Sequence, residues 1–168
     1  MQFWKTRCVE DTGVRSTFGI FCFAAALLAL SMSAAASVVI NEMELNPSEG
    51  GVDWIEIYNP DSESADISGW TAEISDGSWV GKFSAVPAGT ILPAGGFYVF
   101  DGQSSWTHND GGYATLYSAS GEVVDKTATR EDGLDNDFTY SRKPDGHDTN
   151  SDADWGLSAG TKGASNNR

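Results

Sequence analysis

Three carboxylate residues fall on or beside predicted strands early in the chain and are the first candidates for chemistry. Glu42, Asp53 and Glu56 lie in the stretches VVINEMEL and VDWIEIYN. Glycosidases use two such carboxylates about 5–9 Å apart, one of them as a general acid. In a chain with 24 acidic residues, however, nothing in the sequence selects a pair. We therefore predict no catalytic residues and a protein that is not an enzyme.

An alternating acidic run offers a second kind of chemistry, the ligation of a cation by oxygen. Asp148, Asn150, Asp152 and Asp154 recur at every second position of DTNSDADW. Calcium loops draw oxygen ligands from alternate positions, with a glycine at the sixth position and a glutamate at the twelfth. Both of those positions are alanine here. We predict no resident metal or other cofactor, and keep weak calcium binding at this loop as the alternative.

The two histidines, His108 and His147, lie among turn-forming residues in SWTHNDGG and PDGHDTN. Their separation matches no zinc-binding motif. We expect both histidines to be exposed loop residues.

Three aromatic residues near predicted turns could instead stack on sugar rings. They are Trp79 in DGSWVGK and Trp106 and Tyr113 in SSWTHNDGGY. A flat exposed pair among them would favour a carbohydrate-binding module, whereas burial of all three would disfavour it. This remains an alternative to the interpretation given below.

The first 36 residues are typical of a secretory leader. Lys5, Arg7 and Arg15 precede the apolar run Phe18–Leu30, and a small-x-small pattern ends at Ala36. A bilayer-spanning helix needs about 20 apolar residues, more than this run contains. We predict a signal-peptide helix over residues 1–36, cleaved near Ala36, and no transmembrane helix after it. An uncleaved anchor is the alternative.

Cleavage would leave 132 residues, which is the length of one ordinary domain. Both cysteines, Cys8 and Cys22, lie in the leader, so the remainder has neither a disulfide nor a thiolate metal site. The remainder keeps seven basic and 22 acidic residues, a net charge of −15. Phosphate backbones are held by clustered lysine and arginine, and no such cluster occurs. We predict no direct binding to nucleic acid.

The residues after the leader have the composition and alternation of β-strands. Ile55 and Ile57 alternate with polar or amphipathic residues and are predicted to face a core, as is Trp70. Turn-forming Asp-Gly pairs, such as that at 101–102, separate the runs. The stretch YATLYSASGEVVDKT predicts two strands joined near Gly121. Short strands separated by turns indicate an all-β antiparallel sandwich or barrel.

The pattern thins after Arg130. Here we predict a loop-rich section with one short strand near Phe138–Ser141, and Trp155 packed against the sheets. The predicted organisation is a leader over residues 1–36, one β domain over 37–160 and a flexible C-terminal tail over 161–168.

Several stretches together resemble the lamin tail domain family. VVINEMELNP followed by DWIEIYNPDSESADISGW resembles the start of that domain, and VPAGTILPAGGFYVF resembles its proline-glycine turn and next strand. YATLYSASGEVVDK, TYSRKPDG and DADW follow in the order of the family. The ending GTKGASN departs from it, because a Pro-Gly often precedes the terminal Asn there. The resemblance spans residues 38–166.

The resemblance implies an immunoglobulin-like antiparallel β-sandwich of the kind found in nuclear lamins and in many exported microbial proteins. It implies a non-enzymatic interaction or structural module, and with the leader it places that module at the cell surface or outside the cell. The expected partner is a protein or a cell-envelope component. Family members also accompany exported hydrolases, so an accessory module of such an enzyme is a further alternative.

Overall fold

The computed structural model describes residues 37–103 and 111–167, and nearly all of the regular structure in them is β-strand. The predicted leader, Trp106 and His108 lie outside these residues. In the described part of the chain, no helix is long and apolar enough to cross a membrane. The strands are β1 (Val39–Glu44), β2 (Asp53–Tyr58), β3 (Ala65–Asp66), β4 (Thr71–Ser75), β5 (Val80–Lys82), β6 (Ile91–Leu92), β7 (Phe97–Gln103), β8 (Tyr113–Tyr117), β9 (Val123–Lys126), β10 (Phe138–Arg142) and β11 (Trp155–Ala159). A single 3-10 turn, Asp152–Asp154, precedes β11.

Two antiparallel sheets form the sandwich. The five-stranded sheet has the order β11-β10-β1-β2-β7, and the four-stranded sheet has the order β5-β4-β8-β9. Strands β3 and β6 pair separately as a short ribbon. The predicted all-β antiparallel sandwich is confirmed, as are the hairpin of β8 and β9 and the short strand near Phe138.

The hydrophobic core lies between the two sheets, because alternation turns every second side chain inward. Ile55 and Ile57 are fully buried, as predicted, and Trp70 is 8% exposed within the same cluster. Truncating a buried tryptophan of this kind costs about 3–5 kcal/mol. The other large core side chains are Ile40, Met43, Leu45, Ile67, Ile74, Phe83, Leu92, Phe100 and Leu116.

Two features of the strands differ from the predictions. The Asp-Gly pair at 101–102 lies inside β7, where Gly102 has a φ of +102° beside a register shift opposite Asp53 and Trp54. It therefore forms a β-bulge and not a turn. The closing section also contains a second strand, β11, which pairs with β10 along its whole length. Its residues WGLSA alternate too weakly to have been recognised.

Candidate functional site

The outer face of the five-stranded sheet carries polar side chains that are nevertheless buried. Glu42 and Glu56 lie opposite each other in the β1–β2 ladder, and neither has any exposed surface. Because Ile55 and Ile57 point into the core, Glu56 between them must point away from it. An ionised group buried without partners is strongly destabilising, so this face requires hydrogen-bond donors.

Residues that follow β11 supply most of those donors. The backbone N–H of Thr161 donates to Oε1 of Glu42 over 2.8 Å, and the Thr161 hydroxyl donates to Oε2 over 3.0 Å. The hydroxyl of Thr139 on β10 donates to the same Oε1 over 2.6 Å. The backbone N–H of Gly163 donates to Oε2 of Glu56 over 2.6 Å. The two glutamates therefore bind the C-terminal segment through hydrogen bonds.

The surroundings of Glu56 favour its neutral form. Burial raises the pKa of Glu56 to about 7, although hydrogen bonds from Asn41 and Gly163 act in the opposite direction. The nearby carboxylates of Glu42 and Asp145 raise this pKa further. Desolvation dominates because the ionised carboxylate loses its water. The carboxyl group of Glu56 therefore changes its protonation near neutral pH, although it is not exposed to solvent.

Asp145 anchors the same segment further along. Its carboxylate accepts hydrogen bonds from the backbone N–H of Asn166 over 2.9 Å and from the hydroxyl of Ser165 over 2.5 Å. The amide of Asn166 in turn donates to the backbone oxygens of Asn41 and Arg142 over 3.2 and 3.1 Å. Asn166 is only 1% exposed. It is therefore a structural residue of the domain.

The polar composition of residues 161–168 predicted a flexible tail, whereas the structure anchors residues 161–167 through these hydrogen bonds. The segment lacks the apolar side chains by which packing is usually recognised. It is held instead by backbone N–H and amide groups, which small polar residues leave accessible to buried carboxylates. Such docking leaves no hydrophobic pattern in the sequence.

A buried arginine, Arg142, lies at the C-terminal end of β10 and binds three carboxylates. Arg142 is 2% exposed, and its guanidinium lies 2.9 Å from Asp148 Oδ1 and 3.5 Å from oxygens of both Asp125 and Asp154. The Trp155 ring covers it, with 4.6 Å between the guanidinium carbon and the ring centroid. Three carboxylates and one aromatic face thus surround one cation. Arginine suits this position because its planar group offers five donors.

The three aspartates among the candidate calcium ligands, Asp148, Asp152 and Asp154, pair with arginines of the chain. Asp154 is buried and accepts hydrogen bonds from Thr149 and from the backbone N–H of Ser151. Although burial opposes ionisation, those hydrogen bonds lower the pKa of Asp154 to about 2. Asp152 pairs with Arg130 over 3.0 Å. Within residues 37–103 and 111–167, no group of three or more His, Cys, Asp or Glu is arranged to hold a metal ion. The absence of a resident metal stays a prediction, with weak calcium binding at the loop as its alternative.

A second acidic cluster surrounds Glu44 at the end of β1. Glu44 is 2% exposed and accepts a hydrogen bond from the backbone N–H of Asn46 over 3.1 Å. Burial raises its pKa to about 8, which outweighs the opposing hydrogen bond, and the carboxylates of Asp132, Asp137 and Asp53 raise it further. A carboxyl group of this kind is largely protonated at neutral pH.

Glu44 also lines an open cleft of about 440 Å³, which we name the acidic cleft. A cleft of this size is within the range of small-ligand sites. Its lining includes Glu44, Pro47, Val52, Trp54, Asp137 and Lys162.

The aromatic residues considered for sugar binding do not form an exposed pair in the described part of the chain. Trp79 is half-buried, packs against the core and lies over Gly81, where a Cβ would overlap its ring. Tyr113 is also half-buried, and the ammonium of Lys126 lies 4.4 Å from its ring centroid. Trp106 lies outside the described residues. One ring face of each described candidate is therefore already covered.

His147 lies beside the Arg142 cluster, and its backbone oxygen accepts a hydrogen bond from the Arg142 guanidinium over 3.0 Å. The side chain of His147 is 49% exposed, and its Nε2 lies 3.5 Å from Asp154 Oδ1. It was predicted to be an exposed loop residue, and this is confirmed. His108 lies outside the described residues.

No structural role was predicted for Arg142, Glu44 or Asn166. No local pattern marks them, because their partners are up to 125 positions away in the sequence. The available signals were the arginine in the family-like stretch TYSRKPDG and the polar residues that interrupt the apolar strand VVINEMEL.

The model of the family described as Lamin Tail Domain matches residues 31–131, more than half of the chain. No curated protein matches the sequence significantly.

Proposed function

The chain belongs to the lamin tail domain family, and from this premise we propose that it acts as a non-enzymatic interaction or structural module at the cell surface or outside the cell. One observation carries the non-enzymatic part of the proposal. Glu42 and Glu56 are the two carboxyl groups whose positions would best suit an acid-base pair. Both are fully buried and accept hydrogen bonds from the C-terminal segment that covers them. A catalytic pair must instead reach its substrate.

Features of the sequence support the proposed location. Lys5, Arg7, the apolar run Phe18–Leu30 and the small residues before Ser37 fit a leader that is removed near Ala36. The strongly acidic remainder fits a soluble module whose partner is a protein or a cell-envelope component. Rigid sandwiches of this kind present loops and sheet edges to partners.

The test uses the full chain with a C-terminal affinity tag, expressed in the source organism. We expect recovery from the envelope or culture fluid with a new N-terminus near Ser37. We also expect covalent crosslinking of intact cells to capture a partner that binds again when both proteins are purified. Retention in the cytoplasm with an intact N-terminus would contradict the location.

The non-enzymatic part is tested on the same purified protein. Generic phosphoester and glycoside substrates should show no turnover above buffer. The matched variants are Glu56→Gln and the exposed-site control Asp66→Asn. Turnover that is lost in the first variant and kept in the second would overturn this part of the proposal.

A further inference from the structure

Strand β11 is an edge of the sandwich that carries no protection against pairing. The edges of the two sheets are β11, β7, β5 and β9. Three of these strands contain charged residues, such as Asp101 in β7, Lys82 in β5 and Lys126 in β9. Charges of this kind keep an edge from pairing with another chain. Strand β11, with the sequence WGLSA, has neither a charge nor a proline, so within residues 37–103 and 111–167 it is the edge most open to an added strand.

Hydrogen bonds at both ends of the β10–β11 ladder show which way its backbone groups point. The N–H of Gly160 donates to the Asp137 oxygen over 2.9 Å, and the N–H of Lys143 donates to the Asp154 oxygen over 3.2 Å. Both bonds keep the register of the ladder. Bonded and non-bonded pairs alternate along an antiparallel ladder, so every second residue of β11 is bonded to β10. The bonded residues are Gly156 and Ser158.

The remaining residues of β11 direct their backbone groups toward the open edge. They are Trp155, Leu157 and Ala159. The N–H of Trp155 donates to the Asp152 oxygen at the end of the 3-10 turn. The outward residues are symmetric about Leu157. A second β11 related by a two-fold axis at Leu157 therefore places Leu157 opposite Leu157 and Trp155 opposite Ala159, with outward groups facing outward groups.

An exposed apolar pair lies beside this edge. Leu157 and Phe138 are each 45% exposed. Leu157 pairs with Tyr140, which is two positions from Phe138 on β10, so the three side chains share one face of the sheet. Among the exposed large apolar residues in the described part of the chain, Leu157 and Phe138 are the two that lie on paired strands. A second copy on β11 would remove part of this surface from water.

The charges beyond the two ends of β11 are complementary. Asp152 precedes Leu157 by five positions, and Lys162 follows it by five. Two-fold antiparallel pairing at Leu157 brings the Lys162 end of one copy to the Asp152 end of the other. Their side chains are 79% exposed for Asp152 and 41% exposed for Lys162, although each also pairs within its own chain. Unlike charges thus meet at both ends of the joined strands.

We propose that a second copy of this chain pairs with β11, antiparallel and two-fold about Leu157, so that two five-stranded sheets join edge to edge. The inference goes beyond the proposed function, because it holds whether or not the module has another partner. One strand pair buries little area, and each copy carries a net charge of −14. The dimer is therefore reversible and weak, unlike an obligate one.

Sedimentation velocity of the purified, tagged chain measures the self-association from low micromolar to millimolar concentration. An ionic strength of about 0.15 M screens the net charge beyond about 8 Å and leaves the contacts at the edge. We expect a reversible equilibrium between monomer and dimer. Leu157→Lys places like charges opposite each other and should weaken the dimer by about tenfold or more. The matched control Val123→Lys changes a 60% exposed residue of the edge strand β9 and should leave the dimer unaltered.

A cysteine at the centre of β11 tests the register. The two Cα atoms of a hydrogen-bonded antiparallel pair lie about 5.5 Å apart, a distance that a disulfide can span. Leu157→Cys should therefore form a covalent dimer under mild oxidation, and Val123→Cys should not. The unmodified chain, whose own cysteines are Cys8 and Cys22, is oxidised in parallel.

Three results would overturn the proposal. The first is a chain that stays monomeric at every concentration, and the second is equal weakening of the dimer by Leu157→Lys and Val123→Lys. The third is a monomer whose β11 amides are protected from hydrogen exchange only by a different protein, which would then be the occupant of the edge. Urea midpoints equal to that of the unmodified chain establish that both lysine variants are folded. Partner capture tests the proposed function separately, so a failed dimer leaves that function standing.

Discussion

Glu42 lies directly opposite Glu56 in the β1–β2 ladder, and both side chains are completely buried. Like charges in such a position are destabilising. The two glutamates can lie opposite each other because burial favours the protonated form of Glu56 and raises its pKa to about 7. Glu42 meanwhile accepts hydrogen bonds from Thr139 and Thr161. The pair is therefore stable only while the C-terminal segment is in place.

Removing residues 161–168 should destabilise the domain. The truncation deletes the donors of Thr161 and Gly163 and leaves Glu42 and Glu56 without them. A buried acceptor that loses its hydrogen bond costs about 1–3 kcal/mol, so we expect the free energy of unfolding to fall by about 3 kcal/mol or more. Urea denaturation measures the change.

The matched control for the truncation is Asn167→Ala, which removes an exposed hydrogen bond to Asp145. It should change stability by no more than about 0.5 kcal/mol. An unaltered urea midpoint in the truncated protein would show that the segment does not support the buried pair.

Stability should fall as the pH rises through the neutral range. Glu44 and Glu56 have pKa values of about 8 and about 7 in the folded protein, against 4.5 for an ordinary glutamate. The folded state therefore binds more protons than the unfolded state between these values, and stability decreases with pH there. A tenfold difference in proton affinity between the two states corresponds to about 1.4 kcal/mol, so we expect several kcal/mol more stability at about pH 5 than at about pH 8.

The pH effect can be separated from general charge repulsion by a variant. Glu44→Gln should reduce the slope above about pH 5 and leave only the contribution of Glu56, which ends near pH 7, while Asp66→Asn should leave the slope unchanged. At the acidic end the sign reverses, because the pKa of Asp154 is lowered to about 2 and its contribution is lost as the pH falls toward that value. A profile that rises steadily from acid to pH 8 would contradict the prediction.

Replacing Arg142 by methionine should be among the most damaging changes. It would leave Asp125, Asp148 and Asp154 without their common cation. Removal of one partner from a buried ion pair costs about 3–5 kcal/mol, which thermal and urea unfolding would register. Lys82→Met is the control, since the Lys82 side chain is exposed and its pair with Glu73 is screened by solvent, so the change should affect stability little. Equal losses in the two variants would refute the role assigned to Arg142.

The sequence predicted the sandwich well because the core obeys local rules. Ile55, Ile57 and Trp70 occupy alternating or post-turn positions, so a few neighbouring residues suffice to orient them. The β8–β9 hairpin likewise depends on a turn centred near Gly121, which has a φ of +82°. These features need no information about distant parts of the chain.

The polar clusters could not be predicted in the same way. Glu56 looks like a solvent-facing residue of an amphipathic strand until Gly163, 107 positions away, covers it. The alternating acids around Asp152 resemble a calcium loop until Arg130 and Arg142 are placed beside them. Composition identifies acidic residues, but only tertiary contacts decide whether water, a cation or a backbone N–H faces them.

Gly146→Ala should reveal how tightly the Asp145–Gly146 turn packs on β2. Gly146 has a φ of +70°, and a Cβ there would lie 2.7 Å from two ring carbons of Tyr58. Its N–H also donates to Asn41 Oδ1 over 2.9 Å, so the turn cannot move away freely.

The control is Gly77→Ala, where φ is +91° and the space for a Cβ is open. Both variants carry backbone strain of about 1–2 kcal/mol, and Gly146→Ala should lose at least about 1 kcal/mol more. Equal urea midpoints for the two variants would mean that the Tyr58 ring moves aside with no loss of stability. The turn would then not be packed as described.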